Sequence, residues 1–151
     1  MAMTYPPGKT APTLPPPPPK PGKEVSAMGW IEDAFGKVLM VKQRRGRKLW
    51  TLPGGKVRAR EALADALVRE IFEETGLKAR SVTACDFYDR HEKANLTILF
   101  RVTLREGITK ILHDEEIEAI AFRASPPKNS TPSLLFFWDR QRRVDISKSK
   151  A

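Results

Sequence analysis

Sixteen residues from Arg60 to Thr75 contain no glycine or proline, are rich in Ala, Leu and Glu, and end at Gly76. That pattern predicts a helix over 60–75 with glycine at its C-terminal stop. At 100° per residue, Leu63, Leu67, Glu70 and Glu74 fall on one side, with Ala66 and Glu73 beside them. The apolar stripe therefore runs into three carboxylates within one turn of each other. Such groups repel, and each is costly to bury unpaired. Either they face water, with Arg69 pairing to Glu73 four residues on, or they share a divalent cation. Oxygen-only donors select hard ions such as Mg²⁺ or Mn²⁺.

The segments before this helix bear on that choice. Pro53-Gly54-Gly55 is a strong breaker that offers bare backbone groups near the same carboxylates. From Lys37 to Arg60 there are nine basic residues and no acid; from Glu61 to Leu77 there are five acids and one Arg. A basic stretch could hold a phosphate chain against a metal, which is the equipment of phosphoryl or pyrophosphoryl chemistry.

The whole chain of 151 residues carries a net charge of +9, which favours polyanionic partners: nucleic acid, phosphorylated small molecules or an anionic surface. No recognised nucleic-acid-binding motif accompanies the charge. No apolar run is long enough to span a bilayer, and the N-terminus lacks an apolar signal core. One cysteine, Cys85, and two histidines exclude an internal disulfide and a thiolate zinc cluster. A reducing cytoplasm is the expected compartment. Cys85 itself reads as a small core residue.

Nine of the 13 prolines lie in the first 21 residues, so residues 1–23 are expected to be an extended, disordered tail. A folded domain is expected over 24–145 and a flexible C-terminus over 146–151. Val25–Ile31, Lys37–Val41, Leu49–Leu52, Val82–Asp89, Leu96–Leu104 and Ile117–Phe122 read as strands. Thr131 followed by Pro132 reads as the N-cap and first position of a second helix running to about Arg143. The class is α/β (α+β), with helices covering a mixed sheet. The run Leu134–Trp138 (LLFFW) serves either to cap that sheet or as a homodimer face. Trp50 reads as a packed strand residue, and His91 and His113 as loop residues.

Gly55, Glu61, Arg69, Glu70, Ile71, Glu73, Glu74, Gly76 and Leu77 together fit G-x5-E-x7-R-E-U-x-E-E-x-G-U, with U bulky and aliphatic. On these residues the chain resembles the Nudix hydrolase family, of the MutT-like kind. Leu49–Gly54 (LWTLPG) is similar to the strand that leads into the family's box. The resemblance implies an α/β/α sandwich and divalent-metal-dependent hydrolysis of a nucleoside diphosphate linked to another group, or of a nucleoside triphosphate. By position, Glu70, Glu73 and Glu74 resemble the metal-binding glutamates, with the Gly54 carbonyl as a further ligand. Arg69 would hold Glu73 or Glu70 in place, Glu61 would support the metal cluster through water, and Gly55 would let the loop turn. The cofactor implied is Mg²⁺ or Mn²⁺.

The general base in this family varies; Glu116, with Glu115 next, is the candidate in Asp114-Glu115-Glu116. Arg44, Arg45, Lys48 and Lys56 are the candidates for substrate phosphates, against a solvated basic loop. Dinucleoside polyphosphates, inositol pyrophosphates and capped RNA stand as alternative substrates. A catalytically silent nucleotide-sensing module stands as an alternative to an enzyme, and the oligomeric state stays open.

Overall fold

The computed structural model describes residues 22–106 and 115–149, with positions 8, 14 and 15, and side chains through Arg143 in the last helix. The tail expected over 1–23 lies, but for positions 8, 14, 15, 22 and 23, outside the described residues, as do His113 and Asp114. In chain order the elements are β1 (Glu24–Trp30), β2 (Val38–Gln43), β3 (Trp50–Thr51), β4 (Gly54–Lys56), α1 (Leu63–Thr75), β5 (Ala79–Arg90), β6 (Asn95–Leu104), β7 (Ile117–Arg123) and α2 (Pro132–Ser149).

The strands form two sheets rather than one. A mixed sheet has the order β4-β1-β6-β5, and a second, antiparallel sheet the order β3-β2-β7. β1 and β6 run parallel, from Glu24 opposite Asn95 to Trp30 opposite Arg101. Alternation along these strands divides the core in two. Ala27, Ile31, Leu39, Phe100 and Val102 meet Leu67 and Ile71 of α1. Trp30, Val38, Met40, Leu52 and Leu99 meet Leu134 and Phe137 of α2. The strands thus lie between two helices, an α/β/α sandwich. Each fully buried aliphatic or aromatic side chain in these layers contributes about 1.5–3 kcal/mol.

Four local features differ from expectation, each for a physical reason. Gly54–Lys56, expected as a breaker, is a strand: Ser26, Ala27 and Met28 of β1 pair with Lys56, Gly55 and Gly54. Glycine carries no side chain to obstruct that close pairing. Helix α1 starts at Leu63 rather than Arg60, because Arg60 adopts φ 63° and Ala62 is extended, without a capping side chain. Glu61 is consequently off the helix, and Leu63 is 38% exposed instead of joining the buried stripe. Cys85 is exposed rather than in the core, since the register of β5 against β6 shifts between Ala84 and Asp86. Asp86 there receives Arg140 Nε at 2.7 Å and Nη2 at 2.8 Å.

Two helix ends follow the sequence signals. Gly76 closes α1 at φ 75°, its N–H donating to Phe72 O. Thr131 Oγ1 accepts the Leu134 N–H at 3.2 Å, with Pro132 opening α2. α2 continues to Ser149, past the end expected near Arg143 and into the segment expected to be flexible. The LLFFW run caps the mixed sheet: Leu134 and Phe137 are fully buried, Phe136 stacks on Tyr88 at 3.9 Å, and Leu135 is exposed. Truncating Phe137 to Ala should therefore cost about 3–5 kcal/mol of unfolding free energy, measured by chemical denaturation.

Candidate active site

Helix α1 aims its carboxylates at β4. Ala66, Leu67, Ile71, Glu74 and Thr75 are its buried residues, so Glu74 occupies a core position and is 4% exposed. The Gly54 N–H donates to Glu74 Oε1 at 3.2 Å. Burial, then the neighbouring Glu70 and more weakly Glu116, push the Glu74 carboxyl well above the usual carboxylate range.

The two glycines of β4 admit two close neighbours, Gly54 the backbone of β1 and Gly55 the Glu70 carboxylate. A Cβ on Gly54, at φ 150°, would overlap the Ala27 carbonyl oxygen and lie 2.8 Å from Met28 Cα. A Cβ on Gly55 would lie 2.7 Å from both Cδ and Oε1 of Glu70. Gly55 therefore leaves the space that the Glu70 carboxylate occupies.

Arg69 ties the acidic residues together. Its Nε and Nη2 meet Glu61 Oε2 and Oε1 at 2.8 and 2.9 Å, a bidentate pair. Its Nη1 meets Glu70 Oε1 at 2.9 Å and Glu73 Oε2 at 3.2 Å. The hydrogen bonds from Arg69 and from the Arg58 N–H hold the Glu61 carboxyl at about 2. Glu61, expected to act through water on a metal, is here a partner of Arg69 and of the turn before α1.

A cleft of about 590 Å³ opens beside these groups, lined among others by Arg45, Gly54, Lys56, Glu70, Glu74 and Glu116. Glu116 is anchored there by its carbonyl, which accepts the Arg44 N–H at 2.8 Å. Of the residues expected at a site, Gly54, Lys56, Arg45, Glu70, Glu74 and Glu116 reach this cleft, while Arg44, Lys48, Glu61, Arg69 and Glu73 do not line it. Lys48 instead lies 3.9 Å from Glu118, and Glu115 pairs with Arg45 at 3.7 Å on the surface. Gln43, Gly46, Thr51 and Ile117 also line the cleft and carried no expectation. The alternation of β2 and β3 could have pointed to Gln43 and Thr51, but a register shift hides the first.

The donor chemistry fits a hard divalent ion: Glu70 and Glu74 lie side by side with Glu116 close by, all oxygen, and one is buried against like charge. As they stand, no three Asp, Glu, His or Cys side chains among the described residues converge closely enough to hold an ion. Glu70 and Glu73 are drawn instead to Arg69.

A family model described as the NUDIX domain matches residues 22–140. The chain is 30% identical over 94 residues to diphosphoinositol polyphosphate phosphohydrolase 2 of Homo sapiens, covering 62% of this chain and 50% of that protein. It is 32% identical over 92 residues to phosphatase NudJ of Escherichia coli, covering 58% and 60% respectively. The chain thus spans about half the length of the first of these relatives. Its fold is similar to the crystal structure of a MutT NUDIX hydrolase from Burkholderia pseudomallei, with TM-score 0.68 and 24% identity over 76% of this chain and 94% of that one.

The Arg69 fork gives a direct test. Replacing Arg69 with Gln should let the Glu61 carboxyl rise from about 2 toward the ordinary glutamate value of 4.5, followed as the pH-dependent ¹³C shift of the Glu61 carboxyl.

Proposed function

The chain belongs to the Nudix hydrolase family, and from that premise we propose that it hydrolyses a phosphoanhydride bond in a phosphorylated small molecule. The substrate class proposed is a nucleoside diphosphate linked to another group, or a nucleoside triphosphate. One observation carries the reading: Glu74 is buried in the wall of an open cleft, with the Gly54 N–H and a second carboxyl, Glu70, as its hydrogen-bond partners. A fold gains nothing from such an arrangement unless a cation completes it.

Glu70, Glu74 and the Gly54 carbonyl would hold Mg²⁺ or Mn²⁺, with Glu73 completing the set from the next position along the helix. A divalent ion bound there neutralises phosphate charge and lowers the pKa of a coordinated water. The remaining work falls to side chains of the chain. Arg69 fixes the rotamers of Glu70 and Glu73 through its Nη1, itself fixed by the bidentate bond to Glu61. Glu116, across the cleft, accepts the proton of the attacking water on its carboxylate. Arg45 and Lys56 flank the cleft and supply positive charge to the anhydride oxygens. Their present surface partners, Glu115 and Glu24, are exposed and cost little to exchange for phosphate.

A second reading keeps the same chemistry on an inositol pyrophosphate. It is favoured by the similarity to the diphosphoinositol phosphohydrolase and by the basic run before the cleft.

The test is phosphate release across nucleotide, sugar-nucleotide, dinucleotide and inositol pyrophosphate substrates, with Mg²⁺, Mn²⁺ and chelator arms. Chelator-sensitive cleavage is expected. Glu74→Gln should keep the fold and lose about 10²-fold or more in turnover, because it removes a charged ligand worth several kcal/mol. Near-normal rates at saturating Mg²⁺ would overturn the role given to Glu74. Binding without cleavage across the panel would point to a nucleotide sensor.

A further inference from the structure

Besides Glu70, Glu74 and Glu116, the cleft is lined by three uncharged side chains, Gln43, Thr51 and Ile117. Two devices set these three in place.

The first is a β-bulge. β2 and β7 pair in regular register from Val38 opposite Arg123 to Lys42 opposite Ala119, and the next pair is Gln43 with Ile117. Glu118, the residue skipped, lies 3.5 Å from Lys42 and 3.9 Å from Lys48, away from the cleft lining. A bulge beside a cleft re-aims side chains. Here it exchanges a carboxylate for the Ile117 side chain and sets that side chain opposite the Gln43 amide. No side-chain hydrogen bond within the described residues engages that amide.

The second device orients a hydroxyl. Thr51 is 8% exposed and faces the cleft from β3. Thr131 Oγ1, which accepts the Leu134 N–H, donates its own proton to Thr51 Oγ1 at 3.1 Å. Thr51 Oγ1 receives that proton and keeps its own to donate. The N-cap of α2 therefore holds the Thr51 hydroxyl at the cleft wall.

We propose that Gln43 and Thr51 are specificity-determining residues that read the hydrogen-bonding edge of a nucleobase, with Ile117 against its face. The proposal rests on the reading of this cleft as the hydrolytic site. A planar amide offers a donor and an acceptor in one plane, the pattern that matches a heterocyclic edge in a bidentate manner. An apolar contact beside convergent polar groups is what a flat heterocycle requires.

The experiment measures equilibrium binding to the metal-free full-length chain, by calorimetry, of AMP, GMP, CMP and UMP, with ribose 5-phosphate as the base-free control. At least one nucleoside monophosphate should bind about tenfold more tightly than ribose 5-phosphate. Gln43→Leu and Thr51→Val should each reduce that preference about five- to tenfold, the loss of one or two neutral hydrogen bonds, while ribose 5-phosphate affinity stays unchanged. Thr51→Ser should restore it. Equal binding of all five compounds by the wild type, or a preference that survives in Gln43→Leu, overturns the proposal. Gln43 is half-buried and packs in neither core, so that variant decides the matter if Thr51→Val fails to fold. The assay contains neither metal nor turnover. An inactive protein that still prefers a nucleobase would defeat the hydrolytic reading and spare this one; an active protein without the preference would do the reverse.

Discussion

Helix α1 can lie against β4 only as closely as backbone atoms permit, and the cleft depends on that approach. Leu67 and Ile71 press the helix onto β1 from the core side. At the next turn the same face presents Glu74, and the strand it meets is Gly54-Gly55. Any side chain on Gly54 would collide with β1, and any on Gly55 would collide with the Glu70 carboxylate. The hydrophobic layer supplies the force, the glycines supply the space, and the carboxylates occupy positions they could not hold on an ordinary helix face. The cost is visible in Glu74, whose carboxyl is pushed upward by burial and by its neighbours. The core offsets that cost, a strain of the kind stored at functional sites.

Arg69 answers a different part of the same problem. It is not in the cleft, yet its guanidinium reaches Glu61, Glu70 and Glu73 at once. Only a planar fork can do that; a lysine would offer one point charge. Because Glu61 lies before the helix, the fork also pins the turn at residues 58–61 to the middle of α1. The positions of two carboxylates are thus set by a residue that does not line the cleft.

How much of this was legible in the sequence follows from range. The carboxylate face, the Gly76 stop and the Thr131-Pro132 start depend on neighbours within one or two turns, and spacing reveals them. The fit of Gly55 through Leu77 to the family box likewise is a matter of spacing alone. What spacing did not reveal were contacts across the fold. Gly54-Gly55 reads locally as a breaker and becomes a strand because β1 lies alongside. Cys85 reads as a core residue and is turned outward by the shift in β5 register. Gln43 draws no notice until a bulge in β7 places it opposite Ile117.

The basic run from Lys37 to Arg60 shows the same limit in its electrostatics. As a sequence it looks like one continuous cradle for phosphates. In the fold it is dispersed: Lys42 and Lys48 turn to Glu118, and only Arg45 and Lys56 stand at the cleft. Each of those two is held by an exposed acid at 3.7 and 3.2 Å, contacts weak enough to be exchanged. Charge that appears to define a polyanion site is therefore mostly placed away from the cleft. The two cations left at the cleft are set there by the fold and not by the run as a whole, because pairing across strands decides which basic side chains meet an acid and which reach the opening.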